Sequence, residues 1–217
     1  MYERSYQGYN GVSTRILLRV KNIFLKIELA IMASGIILAG GLSKRAHDNK
    51  MHFLLENKPL LMHTIESIKP FVNKVILVTG HYDQDIRNFV KEDEKISIVY
   101  NSNYEKGMFS SVLTGVKEVD DDLFILPGDI PFISKETYRA LLNGTKPLRC
   151  PTYKGKEGHP LFIKKAIRKE LLKEPIDSNL KAFRNRYDLE RIPVNDKYIL
   201  KDVDTIEEYQ ELVKERK

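Results

Sequence analysis

A single cysteine, Cys150, excludes an intrachain disulfide framework and points to a reducing compartment, the cytoplasm. Long apolar runs are missing as well. None approaches the ~18–20 residues that a membrane span requires, so no membrane-spanning segment is expected. Apolar stretches in residues 1–31 are broken by charges, which fits a secretory signal peptide poorly. No Gly-Lys-Ser/Thr closes a Walker loop and no Gly-x-Gly-x-x-Gly is present, so two common nucleotide fingerprints are excluded. The aromatic stacking motifs of RNA binders are not visible, and the cations lie scattered rather than along one stripe. The formal charge of +6 and the isoelectric point of about 9.2 are therefore read as suiting a small anionic substrate, not nucleic acid. Internal repeats and low-complexity linkers are also lacking, which argues for one catalytic domain.

What is present supports a packed fold. The chain has 217 residues, 42% hydrophobic and 30% charged, enough for one core beneath a soluble surface. Residues 1–10 are polar and tyrosine-rich. From Arg15 to Ile31 the apolar residues Ile16, Val20, Ile23, Ile27 and Ile31 recur at helical spacing. That stretch reads as an N-terminal extension outside the core fold, with a peripheral membrane helix as the alternative. Met32 is the expected natural start, and the domain is expected to span 32–217.

From Ile36 onward the pattern alternates. Ile36–Leu38, Val75–Thr79, Ile96–Tyr100 and Leu123–Leu126 read as strands. Leu60–Ile68, Gln84–Val90, Met108–Val119, Lys164–Lys173 and Asn179–Arg184 read as helices, with another beginning near Ser134. Such alternation predicts an α/β fold with a doubly wound, mostly parallel sheet and ligands at the carboxyl ends of its strands.

Several stretches carry candidate chemistry. Ile36 to Ala39 is a buried strand that runs into Gly40 and Gly41, followed by Ser43, Lys44, Arg45 and Lys50. Glycines let backbone approach a ligand, and free N–H groups, a hydroxyl and cations suit a polyphosphate. An ordinary strand-to-helix turn with solvated basic residues has the same spacing. Gly107 precedes a helix whose first turn holds Ser110 and Ser111; these either cap it or meet a ligand. Gly115, mid-helix, costs ~1 kcal/mol relative to alanine, which close packing on a sheet would explain. Asp129, in Gly128-Asp129-Ile130-Pro131 after the strand Leu123–Leu126, faces the ligand crevice of such a sheet and can hold Mg²⁺; the alternative is a turn aspartate. Gly155 and Gly158 bracket an expected hairpin turn. Asp202 and Asp204 alternate on one face of an expected extended segment, and Thr205 with Glu208 makes a capping box.

Leu38-Ala39-Gly40-Gly41-x-Ser43-x-Arg45-x-x-x-x-Lys50 resembles the opening loop of the MobA-like NTP transferases, a family that includes molybdenum cofactor cytidylyltransferases and guanylyltransferases. Met-Gly usually follows the arginine there; this chain has Ala46-His47. Asn57-Lys58-Pro59-Leu60, Gly80-His81, Asn101 followed by Gly107-Met108-x-Ser110-Ser111-x-x-x-Gly115, Gly128-Asp129-x-Pro131, Gly158-His159-Pro160 and Asp202-x-Asp204-Thr205 are similar to further family blocks, with Ile206 in place of a proline. The resemblance implies Mg²⁺-dependent transfer of a nucleoside monophosphate from an NTP to a phosphorylated acceptor, molybdopterin cofactor foremost, with release of pyrophosphate. A sugar-phosphate transferase of the same fold is the alternative, and a nucleotide-binding protein with little catalysis is another.

The resemblance assigns Arg45, Lys50 and Asp129 to catalysis. Leu38, Ala39, Gly40, Gly41, Ser43, Gly80, His81, Ser110 and Ser111 fall to nucleotide binding, and His159 to acceptor binding. Asp129 with Asp202 or Asp204 would hold Mg²⁺. The blocks around Ser110 and His159 favour CTP, whereas Gly40 favours GTP, which leaves CTP ahead. No covalent nucleophile is required, and Cys150 lacks a base to serve as one.

Overall fold

The structure is a computed structural model that describes residues 33–41, 50–203 and 205–215. The N-terminal extension, the expected start at Met32, Ser43, Arg45 and Asp204 lie outside the described residues.

Ten strands are present among the described residues: β1 (Ala33–Ala39), β2 (Leu54–Leu55), β3 (Lys58–Pro59), β4 (Lys74–Thr79), β5 (Ile96–Tyr100), β6 (Asp122–Pro127), β7 (Leu148–Tyr153), β8 (Lys156–Glu157), β9 (Leu161–Ile163) and β10 (Leu189–Pro193). The α-helices are α1 (Leu60–Ile68), α2 (Asp83–Phe89), α3 (Met108–Lys117), α4 (Lys135–Asn143), α5 (Lys165–Leu171), α6 (Leu180–Arg184) and α7 (Ile206–Glu215). Among them no helix is long and apolar enough to cross a membrane.

The main sheet runs β10-β7-β9-β6-β1-β4-β5, with β8 paired to β7. β6, β1, β4 and β5 are parallel to one another, as β10 is to β7, whereas β9 runs antiparallel between β6 and β7. The doubly wound, mostly parallel sheet expected from the alternating pattern is what the chain forms.

Strand periodicity explains the two layers. Side chains alternate faces along a strand. Ile37, Val75, Leu77, Phe124 and Leu126 pack one way against Leu61, Ile65 and Ile68 of α1, Ile86 of α2 and Tyr138 and Leu141 of α4. Ile36, Leu38, Ile76, Val78, Leu123 and Ile125 pack the other way against Phe109, Val112 and Val116 of α3, Ile167 and Leu171 of α5 and Phe183 of α6. All seven residues of β1 are buried, which is why the strand reads as an unbroken apolar run. Gly115 has the packing role expected of it, since a Cβ there would stand 2.5 Å from Ile36 Cγ2.

Some local expectations change. The turn between β7 and β8 is made by Lys154 and Gly155, both with positive φ (48° and 77°), the combination a two-residue hairpin loop requires. Gly158 lies beyond that turn; it is small because a Cβ would come 2.5 Å from the Ile199 carbonyl oxygen. Residues 201–203 join no sheet, so the extended segment expected around Asp202 is not a strand. The capping box of α7 forms: Thr205 N–H donates to Glu208 Oε2 (3.0 Å) and Glu208 N–H to Thr205 Oγ1 (3.2 Å). That helix docks through Leu212 onto Leu55, Leu60 and Val203, a third apolar cluster.

Candidate active site

The carboxyl ends of β1, β4, β5 and β6 converge on one edge of the sheet. Gly40 and Gly80, which follow β1 and β4, pack backbone against backbone. A Cβ on Gly80 would lie 2.6 Å from the Gly40 carbonyl oxygen and 2.9 Å from Gly40 Cα; one on Gly40 would lie 2.9 Å from Ser111 Oγ. A Cβ on Gly41 would meet none of the described residues within 4 Å, and Gly41 is exposed. The first glycine is therefore fixed by the fold, and the second presents bare backbone to solvent.

On the β6 side, Gly128 N–H donates to the Leu38 carbonyl (2.9 Å), and Thr64 Oγ1–H donates to the Gly128 carbonyl (2.8 Å). These bonds hold the turn that carries Asp129. Asp129 is 9% exposed. Its Oδ2 is ion-paired with Lys50 Nζ at 2.5 Å, and its buried Oδ1 has no hydrogen-bond partner among the described residues. An orphaned buried carboxylate oxygen is costly unless something cationic or donating meets it. This donor set fits a hard divalent cation. Among the described residues no three His, Cys, Asp or Glu side chains form a preformed cage, so a cation at Asp129 would take its remaining oxygens from phosphate and water, as Mg²⁺ does. Val203 N–H donates to the Asp129 carbonyl (3.1 Å), which brings the neighbouring Asp202 to the same end of the sheet.

The β4–β5 side carries aromatic and amide groups, with the Asp83 carboxylate bonded to Thr79 at the end of β4. The edge of the exposed His81 ring meets Tyr82, with centroids 4.6 Å apart, and Tyr104 lies 6.0 Å away. Asn101, just past β5, is buried and bonded to both serines of α3, Nδ2 donating to Ser110 Oγ (2.8 Å) and Ser111 Oγ (3.0 Å). Neither serine caps the helix: the N-cap is Gly107, at φ 99°, without a side-chain bond. Ser110 Oγ lies within bonding distance of the Gly107 and Asn103 carbonyls instead.

Residues 35–192, well over half the chain, match the family described as the MobA-like NTP transferase domain. The chain belongs to the MobA-like NTP transferase family. This transferase is 27% identical to the molybdenum cofactor cytidylyltransferase of Escherichia coli K12 over 178 residues, which cover 80% of this chain and 92% of that one. Its fold is that of a nucleotidyl transferase from Methanothermobacter, with a TM-score of 0.73 and 17% identity over 85% of this chain and 97% of the other. It is also similar to a Mycobacterium tuberculosis H37Rv protein solved in complex with manganese, with a TM-score of 0.68 and 18% identity over 84% and 98% of the two chains.

Within the transferase, Leu38, Ala39, Gly40, Gly41, Lys50, Gly80, His81, Ser111 and Asp129 all gather at this edge, and Ser110 lies just beneath it. Asp202 is exposed. Its carboxylate acts on His159, whose imidazole burial pushes down to about 4 against that pull, so the ring is neutral near pH 7. The backbone N–H of His159 donates to the Ile199 carbonyl (2.9 Å), which ties the loop that carries His159 to the segment leading into Asp202. Asn101, Tyr104 and Thr64 had no place among the site residues expected from sequence. Only Asn101 left a signal there, as the residue that opens the family block six positions before Gly107.

Proposed function

We propose that this transferase moves a cytidylyl group from CTP to a phosphorylated acceptor, molybdopterin cofactor foremost, with Mg²⁺ and release of pyrophosphate, in the cytoplasm. The observation that carries the reading is Asp129: a nearly buried carboxylate with one oxygen on Lys50 and the other orphaned, beside a bare glycine turn. The length of the match to a molybdenum cofactor cytidylyltransferase supports the acceptor and the base. The manganese complex of a protein with the same fold supports a divalent ion.

An acceptor phosphate oxygen forms the new bond to the α-phosphorus of the NTP as the bond between the α- and β-phosphates breaks, and pyrophosphate leaves. Such chemistry depends on positioning and charge neutralisation more than on a covalent intermediate. Lys50 moves from Asp129 to the triphosphate, and Arg45 joins it there. Asp129, with Asp202 or Asp204, would hold Mg²⁺, which would supply charge neutralisation at the phosphates. Gly41 lets backbone N–H groups approach phosphate oxygens. Gly80, His81 and Ser111 line the base, and His159 offers a neutral ring to the acceptor.

The test is pyrophosphate release with each NTP, Mg²⁺ and either molybdopterin or a sugar phosphate. Turnover greatest with CTP and molybdopterin is expected. Turnover only with a sugar phosphate assigns the other acceptor, and NTP binding without pyrophosphate release under either condition removes the catalytic reading.

A further inference from the structure

The side chain of Asn101 is fully committed. Its Oδ1 accepts the backbone N–H of Asn103 (3.0 Å), with Thr114 Oγ1 3.2 Å away, and its Nδ2 spends one hydrogen on each serine. Because a backbone N–H can only donate, the amide cannot be turned over without losing that bond, so the donor end is fixed towards Ser110 and Ser111. The two hydroxyls then differ. Ser110 accepts from Asn101 and has carbonyl partners for its own proton, Gly107 at 2.7 Å and Asn103 at 2.8 Å. Ser111 accepts from Asn101 and donates to none of the described residues, although it is only 4% exposed. Its oxygen stands over Gly40, in the space a Cβ would fill.

We propose that Asn101 is a positioning residue for nucleotide recognition: its carboxamide holds the Ser111 hydroxyl as an acceptor and thereby commits the serine proton to a carbonyl oxygen of the bound nucleobase. The inference rests on the nucleotidyltransferase reading above. The choice of base over phosphate follows from the sheet order. Asp129 follows β6, whereas Asn101 follows β5, with β1 and β4 between them. At ~4.8 Å per strand the two ends are separated by about the reach of a nucleotide. The Asn101 end carries amide, hydroxyl and aromatic groups, which suit a flat neutral base; Lys50 lies at the Asp129 end.

Asn101→Asp tests this, because it keeps the acceptor for Asn103 but removes the donor, so that both serine hydroxyls turn to donate to the new carboxylate. Wild type, Asn101→Asp, Ser111→Ala and the double variant are titrated by calorimetry with Mg²⁺ and CTP, with Mg²⁺ and GTP, and with Mg²⁺ and inorganic tripolyphosphate, which has no base. Melting temperatures are recorded in parallel. One neutral hydrogen bond corresponds to a loss of up to about tenfold in affinity. Each single variant is therefore expected to weaken the preferred nucleotide about tenfold and leave tripolyphosphate unchanged. The double variant should be no worse than either single one, since both act through the same proton. Nucleotide affinity unchanged in Ser111→Ala overturns the proposal. Equal losses for nucleotide and tripolyphosphate in Asn101→Asp make Asn101 merely structural and overturn it too. If Asn101→Asp does not fold, Ser111→Ala and the conservative Ser111→Thr decide: a loss with alanine that threonine restores supports the proposal, and no loss with alanine, or an equal loss with both, overturns it. Wild type that binds none of the nucleotides defeats the functional reading itself, and the inference with it.

Discussion

Two adjoining glycine positions should respond to alanine in opposite ways. At Gly80 the new methyl would stand 2.6 Å from the Gly40 carbonyl oxygen, 2.7 Å from Tyr104 Cβ and 2.9 Å from Gly40 Cα, all inside ordinary contact distance. Backbone atoms and a Cβ cannot rotate away, so the overlap falls at the upper end of overpacking costs, ~3 kcal/mol. Stiffening the unfolded chain returns ~0.4–1 kcal/mol. The net loss of ~2 kcal/mol lowers the melting temperature of a domain this size by about 4–8 °C. The displaced Gly40 should carry nucleotide affinity down with it. At Gly41 a methyl meets nothing within 4 Å, so stability should hold or rise slightly. Nucleotide affinity should still fall by about tenfold, the worth of one backbone contact to phosphate. Thermal denaturation and calorimetry with Mg²⁺ and CTP measure both quantities. Wild-type melting in Gly80→Ala would refute the packing argument, and wild-type affinity in Gly41→Ala would refute the claim that bare backbone there meets the triphosphate.

Asp129→Asn keeps the shape of the side chain and should melt within a few degrees of wild type, while pyrophosphate release falls by ~10² or more, the scale for losing a main electrostatic stabiliser; near-normal turnover would remove the metal from Asp129. Asp196→Ala should cost ~3 kcal/mol in chemical denaturation. This buried carboxylate accepts from Ser134 N–H, Thr137 Oγ1–H and Tyr198 N–H at 2.8, 2.8 and 3.0 Å, and alanine would strand the two backbone donors and leave the Thr137 hydroxyl only Ser134 Oγ. Cys150, whose thiol burial pushes up to about 11, should resist alkylation at pH 8 in the native protein and react readily in denaturant. The folded state holds that proton more tightly than the unfolded one, so the thiol's contribution to stability is complete below its ordinary value of 9.0 and is lost as pH rises towards about 11. Rapid native labelling would contradict this burial.

The central strands were legible because both their faces are buried: Ile36–Leu38 and Leu123–Leu126 are apolar at every position, and no other element needs that. Helix α1 was legible from its period, down to both end residues. β10 was not, since Leu189-Glu190-Arg191-Ile192-Pro193 carries charges mid-strand and ends on proline, features an edge strand tolerates but which hide it in sequence. β2 and β3 are two residues each, joined by Glu56 and Asn57 at positive φ, too short for any periodic signal. The glycine turn and Asp129 announced themselves through strand ends. Asn101 was marked only as part of a family block; its bonding role was not legible, because an asparagine after a strand looks like any turn residue until Asn103 and α3 fold around its amide.

The bond from Val203 N–H to the Asp129 carbonyl also has a consequence for the order in which the protein is made. β1, which emerges early, sits in the middle of the sheet and waits for β4 and β6 on either side. Asp129 follows β6 directly, yet the segment that clasps it comes after β10, the last strand among the described residues, and Val203 is seated by Leu212 of a helix later still. A ribosome that released the chain before that helix would deliver a complete parallel core with an unclasped carboxylate. In the proposed mechanism, readiness of Asp129 thus waits on a segment made after every strand of the sheet.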